Sequence, residues 1–222
     1  MLLAISCAGP LPRAERIVFF GDSITEEGNS PGGYVDLIRN AMQNTGNVTV
    51  TGAGVSGDRV PDLLERLEND VMSHRPTTVV IYIGINDVWH KALGLGGTPP
   101  DTFETGLRNI VRQIADTGAR VILCTPSVVG EKYDGTNPLD PELDRYAAIT
   151  RGIAKSMGCG LCDLRAIFLL HLGQFNPDNR DTGILTRDGV HLNGRGNTLV
   201  AESLLLLLSP ASAGTRRDDV EH

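Results

Sequence analysis

Residues 16–25 read RIVFFGDSIT, and this stretch decides how the rest of the chain is interpreted. Its first half is a run of β-branched and aromatic residues, which is typical of a strand buried on both faces of a parallel sheet. The run ends at Gly21, and Ser23 follows two positions later. Ligands bind outside the carboxyl ends of the strands in an open α/β sheet, so Ser23 stands where a nucleophile would meet a substrate. Taken alone, Gly-Asp-Ser also fits an ordinary strand-ending turn.

The rest of the chain alternates between short apolar runs and segments with helical periodicity. Crossovers of this length between apolar strands predict an α/β fold with a five-stranded parallel sheet and helices on both faces. Loops are expected between these elements, and the two at 88–100 and 127–141 are expected to wall a substrate pocket. We predict one domain over 15–210, with loose termini at 1–14 and 211–222. The later strands are predicted at 48–51, 77–83, 120–124 and 161–164, a glycine-rich turn at 52–57, and the helices at 34–44, 61–74, 101–117, 141–157, 165–172 and 195–208.

Composition excludes several classes of protein. The 222 residues carry a net charge of −7 with no long basic run, so nucleic acid is not an expected partner. No apolar segment is long enough to span a bilayer. The first residues, MLLAISC, are apolar but lack a basic start, so a cytoplasmic location is the default expectation. Export or a periplasmic location is the alternative if this segment, with Cys7, is a truncated signal. The sequence leaves the oligomeric state open.

Four cysteines do not define a disulfide scaffold in a chain of this size. Cys159 and Cys162 form one C-x-x-C with no second pair and no nearby histidine, so we expect a structural role for both. Cys162 is expected to point into the sheet and Cys124 to lie within a strand. No metal and no cofactor are predicted.

Three turns at 21–23, 52–54 and 84–87 follow strands and should meet at one edge of the sheet. Serine needs a base within hydrogen-bonding distance to act as a nucleophile. His191 is the candidate base for Ser23, because Asp188 three residues earlier could hold its ring and stabilise the imidazolium. Asp188 could instead cap the segment before the last helix. The rivals are Ser56 as nucleophile and the three histidines His74, His90 and His171 as base.

A tetrahedral oxyanion needs preorganised donors at the same edge. The N–H groups of Ser23 and Gly54 and the side-chain amide of Asn86 would supply them, although Asn86 could be only a turn residue. Gly54 fits this role because a Cβ there would crowd a substrate near the backbone.

The motifs that carry these residues resemble the four blocks of the SGNH hydrolases, also called the GDSL esterases and lipases. They are FGDSIT at 20–25, GAGVSGD at 52–58, GIND at 84–87 and DGVHLN at 188–193. The resemblance implies Ser23, Asp188 and His191 as the catalytic triad, with Ser23, Gly54 and Asn86 as the oxyanion hole. The second block commonly begins with Asn, and Gly52 stands near that place here. The G-x-S-x-G motif of the α/β-hydrolases is absent.

The resemblance further implies a flavodoxin-like three-layer α/β/α fold and serine-dependent hydrolysis of carboxylic esters without a metal. It is nearest to small bacterial acetylhydrolase-like esterases, so the expected substrate is a small ester such as an acetylated sugar. No long helical lid is evident, which favours short acyl groups. Asp22, Trp89 and His90 are predicted to line the pocket, although Trp89 could equally belong to the core. The alternatives are an acyltransferase that passes the acyl group to a sugar, and a catalytically inert flavodoxin-like binding module.

Overall fold

The structure, a computed structural model, describes residues 14–43 and 47–208. Five strands form one parallel sheet in the order β2-β1-β3-β4-β5. The strands are β1 Glu15–Gly21, β2 Val48–Gly54, β3 Thr78–Tyr82, β4 Arg120–Cys124 and β5 Gly160–Cys162. The sequence prediction of a five-stranded parallel sheet is confirmed.

The described residues contain eight α-helices in two layers. Helices α2 and α8 pack together on one side, while α3, α5 and α6 pack together on the other. This is the doubly wound arrangement expected when β2 lies on the opposite side of β1 from β3. The helices are α1 Ser23–Gly28, α2 Tyr34–Met42, α3 Val60–Asp70, α4 Ile85–Ala92, α5 Pro100–Ala115, α6 Asp140–Met157, α7 Leu164–Phe175 and α8 Gly194–Leu208.

The core explains why the central strands read as continuous apolar runs. Strand β3 is buried along its whole length, and β1 is buried from Ile17 onward, because helices cover both faces. The register places Gly21 opposite Gly54 on one side and opposite Tyr82 on the other. The carboxyl ends of β2, β1 and β3 therefore lie side by side.

Three elements differ from the sequence prediction near these strand ends. Strand β2 continues through Gly54, so the glycine-rich segment at 52–57 is partly strand, because its parallel pairing with β1 extends that far. Helix α1 begins directly at Ser23, since Asp22 caps it by accepting a hydrogen bond from the Ile24 N–H. The predicted loop at 88–100 is wrong over its first part, where α4 runs to Ala92.

The predicted polar loop at 127–141 is more buried than its composition indicates. It contains the buried side chains of Ser127, Val128, Glu131 and Asn137 before α6 begins at Asp140. Cys7 and the segments 1–13 and 209–222 lie outside the described residues, so the loose termini and the single domain at 15–210 stay predictions. Within residues 14–43 and 47–208, no helix is long and apolar enough to cross a membrane.

Candidate active site

Ser23 lies two residues beyond the end of β1, at the carboxyl edge of the sheet, and is the first residue of α1. The first N–H groups of a helix have no acceptor within that helix, so the Ser23 N–H is available to a ligand. The residue is 7% exposed, so only a small part of it meets the solvent. The Asp22 cap fixes this helix start, and therefore where the Ser23 side chain leaves the main chain.

A continuous hydrogen-bond chain joins three side chains that are far apart in sequence. The Ser23 Oγ lies 3.0 Å from His191 Nε2, and His191 Nδ1 lies 2.8 Å from Asp188 Oδ2. Since a carboxylate can only accept, Nδ1 carries the proton and Nε2 is left as the acceptor for the Ser23 hydroxyl. The structure thus brings together the serine, imidazole and carboxylate singled out from the sequence.

The Asp188 carboxylate is oriented by main-chain donors as well as by the imidazole. Its Oδ1 accepts from the N–H groups of Val190 at 3.0 Å and His191 at 2.7 Å. Partial burial acts to raise the pKa of Asp188, but the hydrogen bonds from His191 and Val190 outweigh it and hold the pKa below its ordinary value. The carboxylate therefore stays ionised at neutral pH and can stabilise an imidazolium.

The loop at 183–193 carries both Asp188 and His191, and a buried carboxylate anchors it. Glu131 accepts hydrogen bonds from the N–H groups of Ile184, Leu185 and Thr186 at 2.5–2.7 Å, and from the Thr186 hydroxyl at 2.7 Å. Glu131 is itself fully buried. Because these donors lie just before Asp188, the glutamate fixes where the loop starts its approach to Ser23.

Gly54 is the last residue of β2 and lies opposite Gly21. The Val55 N–H donates to the Gly21 carbonyl at 3.1 Å. Successive residues of a strand turn their N–H groups to opposite sides, so the Gly54 N–H points away from β1 and is not used in that pairing. The N–H therefore takes no part in the pairing with β1, and its role as a donor to a ligand stays a prediction.

The reason why position 54 needs a glycine differs from the expected one. A Cβ there would lie 2.1 Å from the Glu26 nitrogen and 2.7 Å from the Asp22 oxygen. It would therefore collide with the backbone of α1 and its cap, rather than only with an approaching substrate. The missing side chain lets α1, which begins at Ser23, pack against the end of β2.

Asn86 lies in the first turn of α4, just beyond β3, and is 3% exposed. Its Nδ2 donates to the Asp58 carbonyl at 3.0 Å. An amide nitrogen has two protons, so this bond fixes the side chain and leaves a second N–H for a ligand. Gly84 precedes α4 with φ of 120°, a conformation that favours glycine and turns the chain sharply out of β3.

The three predicted pocket residues have different surroundings. Trp89 is partly buried against the core, and its ring meets the His191 ring edge-on, with centroids 6.4 Å apart. His90 is partly exposed and lies toward the turn at Gly57. Asp22 is 2% exposed and serves as the cap of α1, so its carboxylate is not on an open wall.

Burial raises the pKa of Asp22 to about 7. The hydrogen bond from the Ile24 N–H opposes this shift, while the neighbouring carboxylates of Asp87 and Asp58 add to it. A carboxyl group with a pKa so close to neutrality lies directly before the candidate nucleophile. Its protonation is therefore sensitive to pH near neutrality.

The rival residues lie elsewhere or have other partners. Ser56 is exposed in the turn after β2, and His74 belongs to a short 3₁₀ helix, Met72–His74, that follows α3. His171 stacks on Phe175 within α7. Asp87 precedes His90 by three residues, which is the same spacing as between Asp188 and His191. The Asp87 carboxylate, however, accepts a hydrogen bond from the Val60 N–H.

The three cysteines within the described residues, Cys124, Cys159 and Cys162, are free thiols. Cys162 is buried in β5 beside Cys124 of β4, and Cys159 is partly buried in the preceding turn. Within the described ranges, no three His, Cys, Asp or Glu side chains cluster in a way that could hold a metal ion.

Two residues near the site were missed by the sequence interpretation. Glu131 lies in the loop at 127–141, and Arg66 lies on α3, where its guanidinium donates to the ends of β1 and β2. Neither belongs to a motif, and both make contacts distant in sequence. A buried charge inside a polar segment leaves no periodic signal that could have indicated them.

Comparison with known proteins identifies the family of this chain. Residues 19–199 match the model of the GDSL-like lipase/acylhydrolase family. An acetylxylan esterase of Geobacillus stearothermophilus is 30% identical over 210 residues, which cover 86% of this chain and 92% of that protein. An isoamyl acetate-hydrolyzing esterase 1 homolog of Rattus norvegicus is 26% identical over 208 residues, covering 87% of this chain and 81% of its own length.

A solved acetyl xylan esterase, AlAXEase, is similar in structure with a TM-score of 0.85 and 41% identity, covering 87% of this chain and 99% of that one. These matches confirm the predicted three-layer fold and the prediction of a carboxylic ester hydrolase. The chain therefore belongs to the GDSL-like lipase/acylhydrolase family.

Proposed function

We propose that Ser23, His191 and Asp188 form the catalytic triad of an esterase that removes acetyl groups from an acetylated saccharide. The observation that carries this proposal is the hydrogen-bond chain from the Ser23 Oγ through the His191 ring to Asp188, with contacts of 3.0 and 2.8 Å. These distances are those needed for proton transfer during nucleophilic attack.

In the proposed reaction, the Ser23 oxygen attacks the ester carbonyl while His191 Nε2 takes the hydroxyl proton. The N–H groups of Ser23 and Gly54 and the free amide proton of Asn86 bind the oxyanion. His191 then gives its proton to the leaving alcohol, and an acyl-enzyme remains on Ser23. Water, deprotonated by His191, attacks the acyl-enzyme and releases the carboxylic acid.

The similar proteins support acetyl groups and a saccharide as the substrate. Two relatives are acetylxylan esterases by their names, and a third hydrolyses isoamyl acetate by its name. Two solved structures of one similar enzyme, the acetylxylan esterase Axe2 of Geobacillus stearothermophilus, are of catalytic mutants, one with a serine and the other with a histidine replaced by alanine. These descriptions agree with a serine and a histidine as the reacting pair here.

A groove next to the loop that carries Asp188 and His191 supports a saccharide as the leaving group, because five polar side chains contribute to its lining. It has a volume of about 730 Å³. Arg187 and Leu192 in its wall flank the triad residues of the loop, and Glu27 lies one helical turn after Ser23. Hydroxyl groups of a sugar are suited to such a lining, because polar side chains fix a ligand by hydrogen bonds. The groove is further lined by Ser30, Pro31, Gly32, Gly33, Asn193, Gly194 and Asn197.

The test compares Ser23→Ala with Ser56→Ala on acetylated xylo-oligosaccharides and on nitrophenyl acetate. Loss of turnover and of fluorophosphonate labelling is expected for Ser23→Ala, while Ser56→Ala stays close to the unmodified protein. Retained turnover in a folded Ser23→Ala variant would remove Ser23 from the mechanism. A higher rate on nitrophenyl octanoate than on the acetate would contradict the acetyl preference.

A further inference from the structure

Arg66 projects from α3 towards the ends of β1 and β2, and its side chain is 16% exposed. Its Nη2 donates to the Gly21 carbonyl at 2.8 Å, and its Nη1 donates to the Ala53 carbonyl at 3.0 Å. The Nε donates to the Asp58 carboxylate at 2.6 Å. A further bond from Nη1 reaches Asp70 at 2.9 Å.

Two of these contacts lie on the segments that carry Ser23 and Gly54, and the contact with Asp58 reaches the residue that holds Asn86. The Ala53 carbonyl belongs to the same peptide group as the Gly54 N–H. Gly21 ends the strand that delivers Ser23. Asp58 accepts from Asn86 through its own carbonyl, at 3.0 Å. One guanidinium therefore joins the ends of β1 and β2 directly, and it is linked to Asn86 through Asp58.

The remaining surroundings of Arg66 hold the guanidinium in one orientation. Its central carbon lies 4.6 Å from the centre of the Phe20 ring, in a cation–π contact. The planar fork of arginine places its donors in a fixed geometry, and bonds from a charged donor are shorter and stronger than neutral ones. Two carboxylates, Asp58 and Asp70, balance its charge.

We propose that Arg66 is a positioning residue for the oxyanion hole, and that it makes the Gly54 N–H a stronger donor by polarising the peptide group of Ala53 and Gly54. This inference rests on the proposed function, because it takes Gly54 as an oxyanion donor. A cation at the carbonyl oxygen draws electron density from the amide nitrogen, so the proton on the far side becomes more positive. Donors fixed before the reaction need no reorganisation when the oxyanion forms.

The chain offers a matched control for a purely structural role. Arg39 on α2 also donates to a carbonyl of β2, that of Val50, at 3.3 Å. Val50 lies four residues before Gly54, so this second arginine supports the same strand without reaching the proposed donors. We therefore compare Arg66→Met, Arg66→Lys and Arg39→Met.

The measured quantities are kcat and KM on nitrophenyl acetate and the inhibition constant of a small alkyl boronic acid. The boronic acid forms a tetrahedral adduct with the Ser23 oxygen, and one of its oxygens occupies the oxyanion position. We expect Arg66→Met to lower kcat about 10- to 100-fold with KM within about twofold, as for the loss of transition-state stabilisation. The inhibition constant should rise by the same factor, and Arg66→Lys should recover part of both.

Arg39→Met is expected to leave kcat and the inhibition constant within about twofold. Arg66 variants whose kcat falls while boronic acid binding is unchanged would overturn the inference, and so would Arg66→Met behaving as Arg39→Met does. If Arg66→Met does not fold, as judged by circular dichroism, the comparison is made with Arg66→Lys. An active, folded Ser23→Ala variant would instead reject the proposed function itself, so the two failures are distinguishable.

Discussion

The two halves of the candidate site are built in different ways. The strand-end half consists of Ser23, Gly54 and Asn86, which lie at or just after the ends of three neighbouring strands. The register of the sheet therefore sets where they lie. The loop half consists of Asp188 and His191, which lie on an irregular loop. The pairing described within this loop is an isolated antiparallel bridge between Thr186 and Leu192. The strand-end half receives its geometry from backbone pairing, whereas the loop half needs a side chain to hold it.

The side chains that support the two halves carry opposite charges. At the strand ends, Arg66 donates to carbonyl groups, and in the loop Glu131 accepts from N–H groups. The difference follows from the backbone groups left over in each place. A carbonyl oxygen that is already paired within the sheet can accept a second hydrogen bond. The N–H groups of an irregular loop have no neighbouring strand to pair with, so they need another acceptor.

The largest expected effect tests the chemistry of the loop half. Asp188→Asn should lower kcat about 10⁴-fold, because an amide in place of the carboxylate no longer holds the proton on Nδ1 or stabilises the imidazolium. Steady-state kinetics on nitrophenyl acetate measures this change. Asp181→Asn, at an exposed acid in the preceding segment, is the control. A loss below tenfold in Asp188→Asn would mean that another group orients His191.

The second prediction tests how the loop half is held. Glu131→Gln should lower the free energy of unfolding by about 3 kcal/mol, since the amide turns a donor toward main-chain N–H groups that now bond to a carboxylate. Urea unfolding measures this, with Glu142→Gln at a more exposed ion pair as the control, for which a change below about 1 kcal/mol is expected. Equal stability of the two variants would contradict the anchoring role of Glu131.

The third prediction concerns the buried acid of the strand-end half. The pKa of Asp22 in the folded protein is about 7 and its ordinary value is 3.8, so the folded state holds this proton more tightly than the unfolded state. This contribution to stability is therefore present at low pH and is lost as the pH rises from about 4 to 7. Between pH 5 and pH 8 it should decrease by about 2 to 3 kcal/mol.

Asp22→Asn should remove that part of the pH dependence and still cap α1, because asparagine also accepts from a main-chain N–H. Urea unfolding of the unmodified protein and of Asp22→Asn, each at pH 5 and pH 8, measures how much the free energy of unfolding of each depends on pH. Asp116→Asn, at an exposed position, serves as the control. Identical pH profiles for the unmodified protein and Asp22→Asn would show that Asp22 ionises normally.

The smallest expected effect lies where the two halves touch. Trp89 belongs to the strand-end half and contacts the His191 ring of the loop half. Trp89→Ala should raise the ratio of octanoate to acetate hydrolysis about three- to tenfold, because removing the ring enlarges the space for an acyl chain. A nitrophenyl ester series measures the ratio, with Phe175→Ala on the exposed face of α7 as the control. An unchanged ratio would place the acyl group elsewhere.

The strand-end half could be predicted from the sequence, because local patterns of apolar and turn-forming residues indicate it. Apolar runs located all five strands, and Ser23, Gly54 and Asn86 were found from the turns that follow three of them. Helix α4 was missed because the glycines at 94, 96 and 97 and the prolines at 99 and 100 made the whole segment read as a loop. The short helix α1 was missed because Asp22 and Ser23 also fit a turn.

The loop half was found through Asp188 and His191 but could not be explained from the sequence. Its anchor, Glu131, is 53 to 55 residues from the N–H groups that it binds. Arg66 reaches Gly21 across 45 residues in the same way. Contacts of this kind depend on the folded chain and have no period or motif, so only the three-dimensional structure reveals them.

The space that Gly54 leaves empty has a consequence for mutagenesis of this enzyme. Alanine is the usual replacement for asking what a single residue contributes, but at position 54 the added methyl group would push against the main chain that carries Ser23. An inactive alanine variant could then report the displacement of Ser23, the proposed nucleophile, instead of the loss of the proposed Gly54 donor. Asn86 is the cleaner place to measure what oxyanion binding contributes, since its side chain can be shortened without entering its neighbours.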